Sequence, residues 1–235
     1  PVSGYPVIYV LDANSVFGTM VEAVRVQGRR PDKTGVVPAI IVGIGYPTEA
    51  PFHPSRYYDL TLPGTAVEFP VKPNEDASKE SGGAEHFLSF IEDELKPMIE
   101  RDFLIDCNRQ TIFGHSLGGL FVLHTLFTRP NSFQVYVAGS PSIHWGGQVI
   151  MDEEKQFVAS IAQKHWNKKL LIAVGELEAG HFTGMQEKAR DLATRLTTRD
   201  DLGLHLEFRE FADEGHISVL PVLVSRAVRF AADSM

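Results

Sequence analysis

One cysteine in 235 residues, Cys107, excludes a disulfide within the chain and a thiolate metal cluster. Nothing beside it in sequence supplies a base, so it is expected as a small buried or half-buried residue and not as a nucleophile. Such cysteine usage is compatible with a reducing, cytoplasmic setting. Long apolar runs are missing too, and none approaches the length needed to span a bilayer. Positive charge is in deficit: 22 Lys and Arg against 30 Asp and Glu give a formal charge of -8, and no local basic patch offsets it. Neither nucleic acid nor an anionic membrane surface is therefore an expected partner. The nine histidines show no metal-ligand spacing, and nothing in the sequence calls for a metal or another cofactor. Pro1 to Gly4 is a turn-like stub, and the chain passes directly into Tyr5 to Leu11, a strand of the buried type with no edge strand before it. The expectation is a longer natural N-terminus, so the lack of a leader says little about location and leaves a periplasmic or exported form open.

What is present is the composition of an enzyme with a large core, 43% apolar over a length that suits one domain spanning residues 1 to 235. Strands are expected at Val7 to Asp12, Val37 to Gly43, the run ending at Phe113, Phe133 to Ala138, Lys169 to Val174 and Leu204 to Phe211. Helices are expected at Phe17 to Gln27, Ala84 to Ile99 with Pro97 as its irregularity, behind Gly114, Glu153 to His165, Met185 to Thr198 and Ser218 to Ala232. Residues 45 to 81 read as a long irregular loop on the substrate side. Strands alternating with helices at this spacing predict an α/β fold, a mainly parallel sheet covered on both faces. In such a sheet ligands bind beyond the carboxyl ends of the strands, where Asp12, Gly45, Gly114, Gly139, Gly175 and the turn at Ala212 fall.

Residues 110 to 119, Gln-Thr-Ile-Phe-Gly-His-Ser-Leu-Gly-Gly, set a serine between glycines where a buried strand gives way to an apolar helix. That layout is a nucleophile elbow, with Ser116 exposed at the bend and Gly114 and Gly118 small because side chains there would collide across it. A serine hydroxyl attacks only when a base takes its proton. His216, in the loop between the last strand and the last helix, can lean over the sheet edge toward Ser116. His115 and His124 read as packing or supporting groups, His86 as a surface or capping residue, and His144 and His181 as pocket-lining candidates. The base needs a carboxylate to fix its tautomer. Glu178, further into the loop after the strand 170 to 174, is favoured over Glu176, with Asp213 and Glu214 as remaining choices.

Gly4-Tyr5-Pro6-Val7-Ile8-Tyr9-Val10-Leu11-Asp12, Arg56-Tyr57-Tyr58-Asp59-Leu60-Thr61, Gly114-His115-Ser116-Leu117-Gly118-Gly119, Gly139-Ser140-Pro141-Ser142-Ile143-His144-Trp145 and Asp213-Glu214-Gly215-His216 together resemble the esterase D group of α/β-hydrolases. Within that group the chain is most similar to the enterobactin and bacillibactin esterases, which hydrolyse catecholate siderophores. The resemblance implies an α/β-hydrolase whose first strand here corresponds to the third of the full fold. It implies a serine esterase with Ser116 and His216 as its pair and backbone N–H groups near Asn14 and at Leu117 as the oxyanion hole. It also implies that the acid is the least uniform member, since some siderophore esterases work largely as a serine-histidine pair.

The irregular stretch holds Phe52, His53, Arg56, Tyr57, Tyr58 and Phe69, and Trp145 follows another sheet end. An aromatic-lined pocket with one cation suits a catecholamide ester, so Arg56, Tyr57, Tyr58, His144 and Trp145 are the candidate substrate-binding residues, and a ferric siderophore is a candidate ligand. The tyrosines could equally anchor the loop, and Arg56 could pair with Asp59. A general carboxylesterase, a feruloyl-type esterase or an acyltransferase would use the same triad, and a non-catalytic binding protein could keep the fold.

Overall fold

The computed structural model describes residues 4–64, 81–161, 167–197 and 203–233. Six strands, β1 (Tyr5–Val10), β2 (Ile40–Gly43), β3 (Ile105–His115), β4 (Val135–Gly139), β5 (Lys168–Gly175) and β6 (Leu204–Phe211), form one sheet in the order β2-β1-β3-β4-β5-β6. Every neighbouring pair is parallel. The helices are α1 (Ala13–Gln27), α2 (Pro31–Thr34), α3 (Arg56–Asp59), α4 (Ala84–Phe90), α5 (Lys96–Asp102), α6 (Leu117–Thr128), α7 (Ile143–Ile161), α8 (Met185–Thr197) and α9 (Val219–Ala232).

Alternate residues of each strand point to opposite faces, and here both sets are apolar. Val7, Tyr9, Ile112, Tyr136, Leu170 and Ile172 pack beneath α4, α6, α7 and α8, whereas Ile8, Val10, Phe113, Val137, Leu171 and Ala173 pack beneath α1 and α9. Burying each such side chain contributes about 1.5–3 kcal/mol. The α6 helix is buried from Leu117 to Phe127, as the centre of a covered sheet requires, and so carries no polar stripe.

Boundaries depart from the sequence expectations in places with physical causes. The α1 helix starts at Ala13, immediately after the strand, because Asp12 takes a left-handed conformation (φ 49°) that turns the chain at once. β2 begins at Ile40, later than Val37. The α7 helix begins at Ile143, ahead of the expected start at Glu153, and bends at Gly147 (φ 50°). Its expected end at His165 lies outside the described residues. Ahead of Pro97 the helix widens into a π turn over Ile91–Leu95, with the Lys96 N–H donating to the Ile91 carbonyl; a five-residue turn accommodates the proline ring that an α-helix would crowd. Cys107 is exposed at the start of β3, contrary to expectation.

Candidate active site

Four described non-glycine residues adopt positive φ: Asp12 (49°), Ser116 (60°), Ser140 (38°) and Asp213 (61°). They follow β1, β3, β4 and β6 within two residues, so the strained backbone gathers along the carboxyl edge of the sheet. Each such conformation costs on the order of 1–3 kcal/mol and persists only where its surroundings fix it.

Ser116, at φ 60° and ψ -117°, is the sharpest of these turns. Its N–H donates to the Gly139 carbonyl at 2.9 Å, and its own carbonyl accepts from Ser142 at 3.1 Å and Leu120 at 3.0 Å. The glycine requirement differs from the expected one. A Cβ on Gly114 would lie 2.2 Å from the Gly118 carbonyl oxygen, and one on Gly119 would lie 2.7 Å from that of Gly139. A Cβ on Gly118 meets nothing closer than Asp12 Oδ2 at 3.5 Å, so the close approaches fall on Gly114 and Gly119.

His216 lies with Nε2 3.1 Å from Ser116 Oγ and Nδ1 2.9 Å from Glu178 Oε2. With Nδ1–H donating to the carboxylate, Nε2 is the nitrogen left to accept from the serine hydroxyl. Glu178 sits in a 3₁₀ turn (Glu176–Glu178) directly after β5, its side chain 4% exposed. Its Oε1 accepts from Ser140 Oγ at 2.6 Å and from the Gly175 N–H at 2.7 Å. Burial pushes the Glu178 carboxyl up, but hydrogen bonds from His216, Ser140 and Gly175 together outweigh it and hold the group below its usual range. Glu176 turns the other way and accepts from the Asp213 N–H at 2.9 Å, fixing the loop that carries His216. Gly175 lets the two loops touch, since a Cβ there would lie 2.2 Å from the Glu214 carbonyl oxygen.

The amides of Leu117 and Asn14 open α6 and α1 on the adjacent strands β3 and β1, where a helix leaves its first donors without intrahelical acceptors. The Ala13 N–H is already taken by the Ile44 carbonyl at 3.1 Å. The Asn14 side chain ties the loop after β2 to α1: its Nδ2 donates to the Tyr46 and Thr48 carbonyls, and its Oδ1 accepts from the Tyr46 N–H.

Arg56 does not line an open pocket. It is buried, and its guanidinium donates through Nε and Nη2 to Asp12 Oδ1 and Oδ2 at 2.9 and 2.8 Å. Asp59, the partner expected for it, accepts instead from the Tyr46 hydroxyl at 2.9 Å. Tyr58 props the start of α4, its ring so close to Gly83 that a Cβ there would lie 2.4 Å away. Tyr57 is half-buried and packs on Trp145 with ring centroids 5.6 Å apart. Phe69 lies outside the described residues. His144, on the first turn of α7, is half-buried and held neutral, its pKa lowered to about 4 by burial and then by Lys188, His181 and His216. His86 is exposed on α4, and His124 is buried on α6 with Nδ1 on the Glu153 carboxylate. His115 packs its ring against His216 with centroids 4.7 Å apart, and burial, followed by the His216 charge, lowers its pKa to about 3.

Two site residues escaped the sequence reasoning. Ser140 holds Glu178, and Ser142 places its hydroxyl 3.2 Å from that of Ser116. Their signal was position, at the carboxyl end of the strand beside the elbow. A cavity of about 510 Å³ lined by Ile8, Val36, Arg109, Val135 and Val228 lies among residues from the amino ends of the strands, away from Ser116.

The chain is 57% identical over 231 residues to the ferri-bacillibactin esterase BesA of Bacillus subtilis, covering 98% of this chain and 80% of that protein. It is 34% identical to a siderophore enterobactin esterase of Emericella nidulans, covering 96% and 82%. The crystal structure of the BES protein from Bacillus cereus superposes with a TM-score of 0.91 at 44% identity, covering all of this chain and 87% of that one. The family model described as Putative esterase matches residues 1–210. The chain therefore belongs to this esterase family as a carboxylic ester hydrolase.

Proposed function

We propose that the chain hydrolyses the trilactone esters of a catecholate siderophore through an acyl-enzyme on Ser116. The relay from Glu178 through His216 to Ser116, at 2.9 and 3.1 Å, is the observation that carries this reading. His216 Nε2 takes the hydroxyl proton as Ser116 Oγ attacks the ester carbonyl carbon, and Glu178 stabilises the imidazolium that forms. The developing oxyanion is received by the Asn14 and Leu117 N–H groups, each such donor worth about 3 kcal/mol. The tetrahedral adduct collapses with cleavage of the bond to the alcohol oxygen, which takes the proton from His216. Water then gives a proton to His216 and its oxygen to the acyl carbon, releasing the acid and restoring Ser116.

The substrate class rests on the relatives, whose names specify bacillibactin and enterobactin esters. Within this reading residues 1–235 act as one catalytic domain in the cytoplasm, where ester cleavage releases iron from an imported complex. No described helix is long and apolar enough to cross a membrane. The test compares kcat/KM for a trilactone bearing catecholamide arms, iron-loaded and iron-free, with that for a short-chain aryl ester. Faster cleavage of either trilactone form is expected. A simple ester turned over faster than both overturns the siderophore assignment and leaves a general carboxylesterase.

A further inference from the structure

The Ser116 hydroxyl is flanked on the β4 and β5 side by two loops that the triad only partly uses. After β4 the chain runs through Ser140 and Ser142 to His144 at the start of α7. After β5 it runs through Glu178 into His181, Phe182, Thr183 and Gly184, then into α8, whose first turn bears Lys188. The second loop is tightly wired. The His181 N–H donates to the Glu178 carbonyl at 3.3 Å, and the Gly184 N–H donates to the His181 carbonyl at 2.8 Å. His181 Nδ1 lies 2.8 Å from Thr183 Oγ1, and Lys188 Nζ donates to the Thr183 carbonyl at 2.7 Å.

That wiring leaves chemistry facing outward. Lys188 lies within 4 Å of no carboxylate oxygen among the described residues, and its neighbour Glu187, whose carboxyl feels the Lys188 charge, accepts from the Gly180 N–H at 3.3 Å. An ammonium has three protons, so the Thr183 carbonyl leaves two for a ligand. Phe182 is 77% exposed, an unusual position for a phenyl ring, and it follows the triad acid by only four residues. Leu177 and Ile217, beside Glu178 and His216, are 67% and 62% exposed and extend the apolar rim. His144, half-buried on the first turn of α7, lies within electrostatic reach of Lys188, His181 and His216 at once.

We infer that His144, His181, Phe182 and Lys188 form the subsite for one ortho-dihydroxyaryl arm of the substrate. The Lys188 ammonium meets the phenolic oxygens, the two imidazoles supply polar contacts, and the Phe182 ring stacks on the aryl ring. This answers a difficulty set by charge, because a chain of net charge -8 needs a local cation to hold an anionic ligand, and Arg56 is committed to Asp12. The subsite rests on the siderophore reading above and deepens it.

The test separates the two. N-(2,3-dihydroxybenzoyl)serine, a single arm with no trilactone, is used as a competitive inhibitor of p-nitrophenyl butyrate hydrolysis by the parent and by Lys188→Met, Lys188→Arg and Phe182→Ala. The inhibition constant is expected to rise about tenfold in Lys188→Met and Phe182→Ala and to recover largely in Lys188→Arg, as befits loss of a charge-assisted hydrogen bond or a stacked ring. Circular dichroism confirms folding of each variant. An inhibition constant that is unchanged in both variants, or a parent that the arm does not inhibit, overturns the subsite. Failure of the parent to prefer the trilactone over the aryl ester, with inhibition by the arm intact, overturns the siderophore reading instead.

Discussion

The two flanks of the serine are built from similar residues and do opposite things with them. On the β1 and β2 side, Asp12 holds Arg56, Asp59 holds the Tyr46 hydroxyl, and Asn14 fastens the loop after β2, so charge and hydrogen-bonding capacity are consumed internally. On the β4 and β5 side, Ser140 and Glu178 are likewise engaged, but among the described residues the hydrogen bond of Lys188 goes to a backbone carbonyl, and Phe182, its ring 4.4 Å from that of His181, is 77% exposed. A cation and aromatic rings close together in sequence therefore mark a brace on one flank. Groups scattered over two loops make the recognition surface on the other.

The sharpest way to break this comparison is to remove the group both flanks converge on. Ser116→Ala is expected to lower ester turnover by roughly 10⁴-fold or more, because no other member of the relay can form the acyl bond. Its thermal midpoint should stay close to the parent, and residual activity within tenfold would remove Ser116 as nucleophile. Glu178→Gln comes next, expected to cost up to about 10⁴-fold in kcat, since an amide there no longer selects the Nδ1–H tautomer. Glu176→Gln perturbs only the Asp213 anchor and should cost far less. Equal small losses from both would point to a working serine-histidine pair.

The flanks themselves are separated by charge removal. Arg56→Met leaves the Asp12 carboxylate buried without its partner, an expected destabilisation of about 3–5 kcal/mol seen in thermal or urea unfolding. Adding Asp12→Asn to the same chain should restore much of that loss, because the uncompensated charge is gone. Lys188→Met, by contrast, should alter ligand affinity with little change in unfolding. A stable Arg56→Met protein with weakened substrate binding would reverse the assignment of the two flanks.

How much of this was legible in the sequence depends on how local each cause is. The order of strands and helices followed from alternating apolar runs, Ser116 from the glycines on either side of it at a strand-to-helix bend, and His216 and Glu178 from loop position after parallel strands. The Arg56–Asp12 pair joins residues 44 apart, a partnership that no local pattern encodes, and so Arg56 read as available for substrate. Cys107 read as buried or half-buried because it stands just before the elbow strand, whereas β3 begins at Ile105 and its first residues run out into solvent. Ser140 and Ser142 carried no chemistry until the β4 end was seen beside the elbow.

The smallest expected effect concerns the rings behind and beside His216. His115 and His144 are neutral in the folded chain, with pKa values lowered to about 3 and about 4, principally by burial. In the unfolded chain both protonate near 6.5. Between those values the unfolded state binds the extra protons, so stability must fall as pH drops below 6.5. Glu178 acts in the same direction only once pH falls below about 4.5, where the unfolded carboxyl begins to take up its proton while the folded one resists. The interval from pH 6.5 to 4.5 thus isolates the histidines, and the fully buried His115 alone should contribute a slope approaching 1.4 kcal/mol per pH unit. Urea midpoints of the parent and of His115→Phe, measured at pH 7.0, 6.0 and 5.0, provide the check. The variant should show the flatter profile, and parallel profiles would mean that His115 accepts its proton in the folded chain. Because the His144 pKa is lowered to about 4, the cation offered beside it to an anionic arm is that of Lys188, so the loss of arm affinity in His144→Phe should be smaller than in Lys188→Met and should stay the same as the pH is lowered from 7 toward 5.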